Sequence, residues 1–283
     1  NLLVGEYIMR PRVGHIQFIN CFPLFYGLIE RKFLLDIDLI KGNPTDLNRL
    51  LKNMELDLAP ISSISYAENW QDYVLMPDIS ISANGEVKSV YLFSKVPIEE
   101  LDNKPIALTN VSATSQVLLK IIMAKHYQAK PVYFESAPEL RAMLMEAEAA
   151  LLIGDDALRA MYKLSDKLYV YDLGKLWQDF TGLPMVFAVW AIRKEFAENS
   201  LNIIKQIKEN FSDSMQFSLD NIEDVAKKAA EWEELPSDFL VDYFAALKFD
   251  FDEGKQKGLL EYYRFAHQLG FINKVPELQI LDI

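Results

Sequence analysis

Val186-Phe187-Ala188-Val189-Trp190-Ala191-Ile192 is the stretch on which the fold turns. The run is apolar without alternation and rich in β-formers, so it reads as a strand buried on both faces. After it the chain is nearly all helical. Ile204, Ile207, Phe211 and Met215 keep helical spacing, as do Phe239, Tyr243 and Leu247. Apolar stripes of this kind read as core rather than cofactor contacts.

Ahead of that run, strands and helices alternate. In a first block, strands are expected at Arg12–Phe18, Ile37–Ile40, Leu56–Ile61, Tyr73–Met76 and Val87–Ser94. Helices fall at Pro23–Arg31, Pro44–Met54 and Ser63–Asn69, with a proline tolerated in the first turn of the first two. A second block, about residues 97–185, has strands at Pro105–Thr109, Val132–Glu135, Ala150–Ile153 and Leu168–Leu173. Its helices are Ser112–Tyr127, Pro138–Ala147 and Ala157–Leu164. Strands separated by helices imply parallel βαβ units. No repeat and no low-complexity tether separates the blocks, which suggests α/β domains joined by crossing strands. The crossings are expected near Ser94–Pro97 and Pro184–Val189. Residues 1–95 plus 187–283 then form one domain and 96–186 the other, with a ligand cleft between them.

Composition narrows the function. Of 283 residues, 51% are apolar and 25% charged, as in a globular protein with a sizeable core. The 29 basic residues fall short of the 41 acidic ones, and residues 195–253 alone carry a net charge of −10. An acidic surface argues against nucleic acid, which needs basic patches. A small anion remains possible, because backbone N–H groups at helix starts bind anions. No apolar run approaches the ~20 residues that span a bilayer. Leu2–Val4 is too short for a signal peptide, and Met9 could be a natural start. The single cysteine, Cys21, cannot form an internal disulfide. A cytoplasmic protein is expected.

Several chemistries lack their residues. No Gly-rich phosphate loop and no nucleophile elbow is present. His15, His126 and His267 are far apart and have no metal-like spacing with Cys21. Neither a cofactor nor a metal is expected. His15, on the first strand, is the one histidine kept as a cleft candidate.

What is present is a set of polar segments after successive strands, where α/β sheets open their ligand crevice. These are Asn20–Leu24, Ser62-Ser63, Ser112–Ser115 and Gly154-Asp155-Asp156, with Ser82–Ser89 beside a crossing. Each has a plain alternative as a turn or a helix cap. Their agreement on one end of the sheets is the stronger argument. Thr114 and Ser115 lie in the first turn of a helix, where N–H groups are unpaired and suit a carboxylate. Ser62, Gly154 and Asp155 join them as substrate-binding candidates, and Asn20 and Ser89 are the catalytic candidates.

On these residues the sequence resembles the chorismate dehydratase of the futalosine-type menaquinone pathway. The telling pieces are Arg12–Ile16 running into Asn20–Leu24, Leu58–Ser63, Gly85–Val90, Thr109–Ser115, Leu152–Ala157 and Trp177–Pro184. The resemblance spans about Arg12 to Ile272 and implies a type II periplasmic-binding-protein fold. It also implies loss of water from chorismate, a dicarboxylate, to give 3-[(1-carboxyvinyl)oxy]benzoate. It points to Asn20 and Ser89 as residues that orient the substrate. Three other readings stand beside it. A solute-binding protein would carry an export signal. The related 1,4-dihydroxy-6-naphthoate synthase is associated with a different N-terminal motif. A sensor domain of a regulator would come with a DNA-binding segment.

Overall fold

The computed structural model describes residues 10–164 and 167–283; Leu2–Val4 and Met9 lie outside them. In chain order the first elements are β1 (Arg12–Ile16), α1 (Phe22–Glu30), β2 (Asp38–Gly42), α2 (Pro44–Lys52), β3 (Leu58–Ser62), α3 (Ser63–Asn69) and β4 (Tyr73–Ala83). Then follow β5 (Val90–Ser94), β6 (Pro105–Thr109), α4 (Ala113–Lys125), β7 (Val132–Ser136), α5 (Leu140–Glu146), β8 (Ala149–Ile153), α6 (Gly154–Tyr162), β9 (Tyr169–Asp172) and α7 (Leu173–Thr181). The chain closes with β10 (Met185–Arg193), α8 (Lys194–Asn199), α9 (Leu201–Asp220), α10 (Ile222–Ala230), α11 (Ser237–Ala246) and α12 (Glu253–Gln268).

Two five-stranded sheets result, ordered β2-β1-β3-β10-β4 and β7-β6-β8-β5-β9. The parallel expectation holds for β2, β1 and β3, and for β7, β6 and β8. It fails for the remaining strands. β10 runs antiparallel to both β3 and β4, and β5 antiparallel to both β8 and β9. The cause is connectivity: β5 and β10 enter their sheets from the other sheet rather than through a βαβ unit within one sheet, which is what sets strands parallel. β10 is indeed buried on both faces.

The first crossing lies earlier than the sequence suggests. Val90–Ser94 pairs in the second sheet, so the chain changes sheets between Ala83 and Val90, before that strand rather than after it. β4 also runs past Pro77, where the sequence reading stops it. Asp78 adopts a left-handed φ of 62°, and the register with β10 shifts between Leu75 and Ser80, so a bulge absorbs the proline. α7 is a helix the sequence reading does not contain. The Asp172 carboxylate accepts from the Lys175 N–H at its start, and Gly182, at φ 72°, ends it.

One apolar core runs beneath most of both sheets, with Trp177 and Trp190 fully buried. Each such large side chain contributes roughly 1.5–3 kcal/mol by leaving water. α1 lies hard against α9. A Cβ at Gly27 would stand 2.1 Å from the Ser214 carbonyl oxygen, so only glycine permits that approach. At the far end of the first sheet, Asp57 accepts from Arg12 Nη2 at 2.7 Å and from Arg193 Nη2 at 2.8 Å. Burial pushes the Asp57 carboxyl up, but the Arg12 and Arg193 hydrogen bonds outweigh it and hold the group below its ordinary value. This pair of arginines ties the start of β1 and the end of β10 to the residue that opens β3.

Candidate active site

The opposite ends of β1 and β3 and the start of β10 face the second sheet across a cavity of about 720 Å³, counted to its open mouth. Among the described residues lining it there is no Asp, Glu, Lys, Arg or His. Its polar groups are Asn20, Thr45, Asn48, Ser62, Ser89, Ser112 and Ser115, set among Phe18, Ile81, Val111, Ile153 and Phe187.

Helix starts account for this placement. α2 opens with Pro44 behind an Asn43 cap, which accepts from the Asp46 N–H at 2.9 Å. The Ser62 hydroxyl oxygen caps α3 by accepting from the Ser65 N–H, and the Ser112 hydroxyl oxygen caps α4 by accepting from the Ser115 N–H at 3.2 Å. Both serines therefore cap a helix and line the cavity. Three helix N-termini bring partial positive charge to a wall that carries no cation. α6 begins differently. Its first residue, Gly154, sits at φ 58° and no side chain caps the helix. A left-handed φ favours glycine, and a Cβ added at Gly154 would stand 3.4 Å from the Phe18 ring.

Asn20 stands in the single 3-10 turn between β1 and α1, and its buried Oδ1 has no hydrogen-bond partner. Ser89 is buried, and its hydroxyl donates to the Val87 carbonyl only at a long 3.4 Å. Its own carbonyl accepts from the Gly154 N–H at 2.7 Å, so the backbone is fixed while the side chain is loosely held. Buried polar groups are nearly always paired, so spare capacity here marks places a ligand would complete.

The structure brings five of the seven candidate residues to the cavity: Asn20, Ser62, Ser89, Ser115 and Gly154. Thr114 and Asp155 are placed elsewhere. The Thr114 Oγ1 accepts from the Ile64 N–H at 3.1 Å, and its carbonyl accepts from the Tyr262 hydroxyl. It is turned toward α3 and α12 rather than the cavity. The Asp155 Oδ1 accepts from the Ile19 N–H at 3.0 Å, joining α6 to the turn that carries Asn20. Burial pushes that carboxyl up to about 6, with Glu233 and Asp156 adding to it. His15 does not reach the cavity either. It is buried against Phe25, and burial with the Lys41 charge brings it down to about 4, so it is neutral at pH 7. Burial pushes the Cys21 thiol well up, which leaves it no nucleophile.

Thr45 and Asn48 are the polar residues of the wall that sequence reasoning missed, and Asn48 is the more telling. It lines the cavity, donates from Nδ2 to the Ser65 Oγ at 2.7 Å, and leaves a buried Oδ1 unpaired. Its position one helical turn after Pro44, beside Leu47, was the available signal. What the arrangement offers chemically is neutral hydrogen-bond donors and helix N-termini suited to a small anionic molecule. Among the described residues no group of three His, Cys, Asp or Glu could hold a metal ion. None of the described helices is long and apolar enough to cross a membrane.

Comparison with known proteins gives the family and the fold. The family described as "Menaquinone biosynthesis" matches residues 11–268. A chorismate dehydratase of Thermus thermophilus is 36% identical over 202 residues, covering 66% of this chain and 72% of its own. A chorismate dehydratase of Campylobacter jejuni is 27% identical over 223 residues, covering 74% and 84%. A 1,4-dihydroxy-6-naphtoate synthase of Thermus thermophilus is 24% identical over 210 residues, covering 74% of each. Among solved structures, an Archaeoglobus fulgidus protein superposes with a TM-score of 0.77 at 22% identity, covering 94% of this chain and 100% of its own. The periplasmic aliphatic sulphonate-binding protein of Escherichia coli gives 0.72 at 14% identity, covering 96% and 92%. The fold is that of periplasmic binding proteins, and the chain belongs to the menaquinone-biosynthesis family.

Proposed function

We propose that this member of the menaquinone-biosynthesis family is a carbon–oxygen lyase that dehydrates chorismate to 3-[(1-carboxyvinyl)oxy]benzoate. The observation that carries the reading is the uncharged cleft in which Asn20, Ser62, Ser89, Ser112 and Ser115 converge with three helix starts. A dicarboxylate can be held there by N–H groups and hydroxyls, as helix N-termini hold anions. Its relatives from Thermus thermophilus and Campylobacter jejuni carry the chorismate dehydratase name.

The chemistry asks little of the protein. The ring proton beside the ether oxygen is acidified through the conjugated ring carboxylate. Its removal leaves the C–H electron pair to become a ring π bond as the neighbouring hydroxyl departs, and the proton and hydroxide leave together as water. Aromatisation drives the step, so orientation and exclusion of water are the main contributions of the site. No side chain of the cavity wall is a base at neutral pH. In this reading the substrate's own side-chain carboxylate takes the proton, while Asn20 and Ser89 fix the ring and the departing hydroxyl. No metal, nucleotide or redox cofactor is required. The two sheets act as two lobes that close over the substrate, hinged where the chain crosses at residues 84–89 and 182–185. The reaction takes place in the cytoplasm.

The test is to incubate purified protein with chorismate, with and without EDTA, and to follow the ultraviolet spectrum and the products. The aromatic dicarboxylate should accumulate at equal rates in both. Loss with EDTA and return with zinc would overturn the cofactor-free reaction. Tight binding without turnover would instead make the chain a solute-binding protein.

A further inference from the structure

Beneath Ser89 lies a residue that the proposed reaction does not yet use. Tyr243, on α11, is 1% exposed, and its buried hydroxyl has no hydrogen-bond partner. The other tyrosines of comparable depth are satisfied: Tyr66 donates to the Glu277 carbonyl at 2.7 Å, Tyr262 to the Thr114 carbonyl at 3.1 Å and Tyr263 to the Ser63 carbonyl at 2.7 Å. A buried hydroxyl without a partner is costly, and phenylalanine would fill the same space without that cost. The polar side chain beside the Tyr243 hydroxyl is Ser89, near enough to lower its pKa as a hydrogen-bond partner but outside full hydrogen-bond geometry, and Asp155, Cys21 and Tyr91 act on it by charge alone. Burial first of all pushes the Tyr243 hydroxyl up, so it is a protonated donor at any pH at which the protein is folded.

Ser89 is the complementary half. It lines the cavity, its backbone is pinned by the Gly154 N–H, and its hydroxyl spends its proton on a long contact to Val87. A serine hydroxyl both donates and accepts. If its proton turns from Val87 toward a ligand in the cleft, its oxygen is free to accept from the hydroxyl below.

We propose that Tyr243 is a positioning residue for Ser89: its hydroxyl donates to the Ser89 Oγ when substrate is bound and so directs the Ser89 proton into the cleft. Nothing is transferred covalently. Two hydrogen bonds in series replace one long contact and one vacancy, and such chains strengthen each member. The inference rests on the reading that Ser89 acts on the substrate. It also explains why a helix of the first lobe's C-terminal region carries a tyrosine at a wholly buried position behind a serine of the crossing segment.

A double-mutant cycle tests it, with full kinetics and thermal unfolding on the intact chain. Tyr243→Phe should lower kcat about 5–30-fold, the effect of one hydrogen bond that strengthens in the transition state. KM should stay within about twofold and Tm should be unchanged or higher, because a group that acts only in the transition state changes kcat rather than ground-state binding. Ser89→Ala with Tyr243→Phe should be no slower than Ser89→Ala alone, since the two residues act as one unit. A merely structural tyrosine would lower Tm, leave kcat alone and add independently to Ser89→Ala. Tyr243→Phe at the wild-type rate with Ser89→Ala impaired would overturn the inference and spare the Ser89 reading. Ser89→Ala at the wild-type rate would overturn both. Should Tyr243→Phe not fold, a crystal structure of the wild-type protein with product decides. A Tyr243 hydroxyl bonded to Ser89 supports the inference, and one turned away from it overturns it.

Discussion

β1, β3 and β10 share two poles, and the poles are built on opposite principles. At one, Arg12 and Arg193 converge on the Asp57 carboxylate, and the Arg193 Nε also donates to the Leu56 carbonyl at 2.9 Å. Its charges are paired. At the other pole the same strands lead into Asn20, Ser62 and Phe187, where the wall is uncharged and two buried amide oxygens, of Asn20 and Asn48, lack partners. One pole has used its polar capacity to hold strands together. The other keeps capacity free at the cost of stability, which is what a site preorganised for a ligand requires.

The contrast can be broken most sharply at the charged pole. Asp57→Ala strands two arginine side chains that are themselves partly buried, and should destabilise by about 3–5 kcal/mol in urea titration. The protein that remains folded should keep its turnover. A loss below about 1 kcal/mol would show that the pole is ornament rather than clamp.

Next is a pH experiment on two buried groups beside the cleft. Asp155 is raised from its ordinary 3.8 to about 6, so its contribution to stability is present below 3.8 and lost as pH rises through 6. His15 is lowered from 6.5 to about 4, so its contribution is present above 6.5 and lost as pH falls through 4. Between about pH 4 and 6 the two slopes oppose each other. Asp155→Asn, which keeps an acceptor for the Ile19 N–H, should therefore steepen the rise of Tm with pH in that window. At pH 7 it should stabilise by at most about 3 kcal/mol, at 1.36 kcal/mol per pH unit. An unchanged Tm profile would show that Asp155 is not buried as described.

At the uncharged pole the expected effect moves from stability to rate. Asn20→Ala and Ser89→Ala should each lower turnover roughly 10–150-fold, the value of one hydrogen bond to a charged group at ~1.5–3 kcal/mol. Unfolding free energy should change by less than about 1 kcal/mol. If both variants keep near-normal turnover, the two residues are turn and sheet furniture. Thr114→Val, outside the cavity, should cost about 1 kcal/mol of stability by leaving the Ile64 N–H unpaired, with little effect on rate. The smallest effect belongs to the rim. Arg159 meets Glu233 at 2.6 Å but is 37% exposed, so Arg159→Ala should cost under about 1 kcal/mol and the difference should fade in high salt.

How much of this was legible follows the same divide. Strands and helices whose apolar spacing is regular were readable, and β6 and α3 fall where the residues place them. β4 was cut short because Pro77 signals a stop, and a bulge is a tertiary solution that no local pattern announces. α7 was missed, although Leu173, Trp177 and Phe180 keep helical spacing behind an Asp172 cap. In the site, serines and an asparagine that follow strands were readable as a group, because chain direction puts them on one edge. Thr114 and Ser115 were not separable, since adjacent residues on a helix point about 100° apart and only packing says which faces the cleft. Asn48 and Tyr243 were harder to pick out for another reason. Each carries one polar group on a helix whose carbon pattern reads as ordinary core, and the vacancy at that group exists only in three dimensions.

The most direct test of the central claim is a crystal structure with 3-[(1-carboxyvinyl)oxy]benzoate bound. Its two carboxylates should lie in the cavity against the N–H groups and hydroxyls at the starts of α2, α3 and α4, with Asn20 and Ser89 in hydrogen-bond contact and no lysine or arginine within reach. A product held outside the cavity, or held there by a basic side chain drawn in from the rim, would contradict the account.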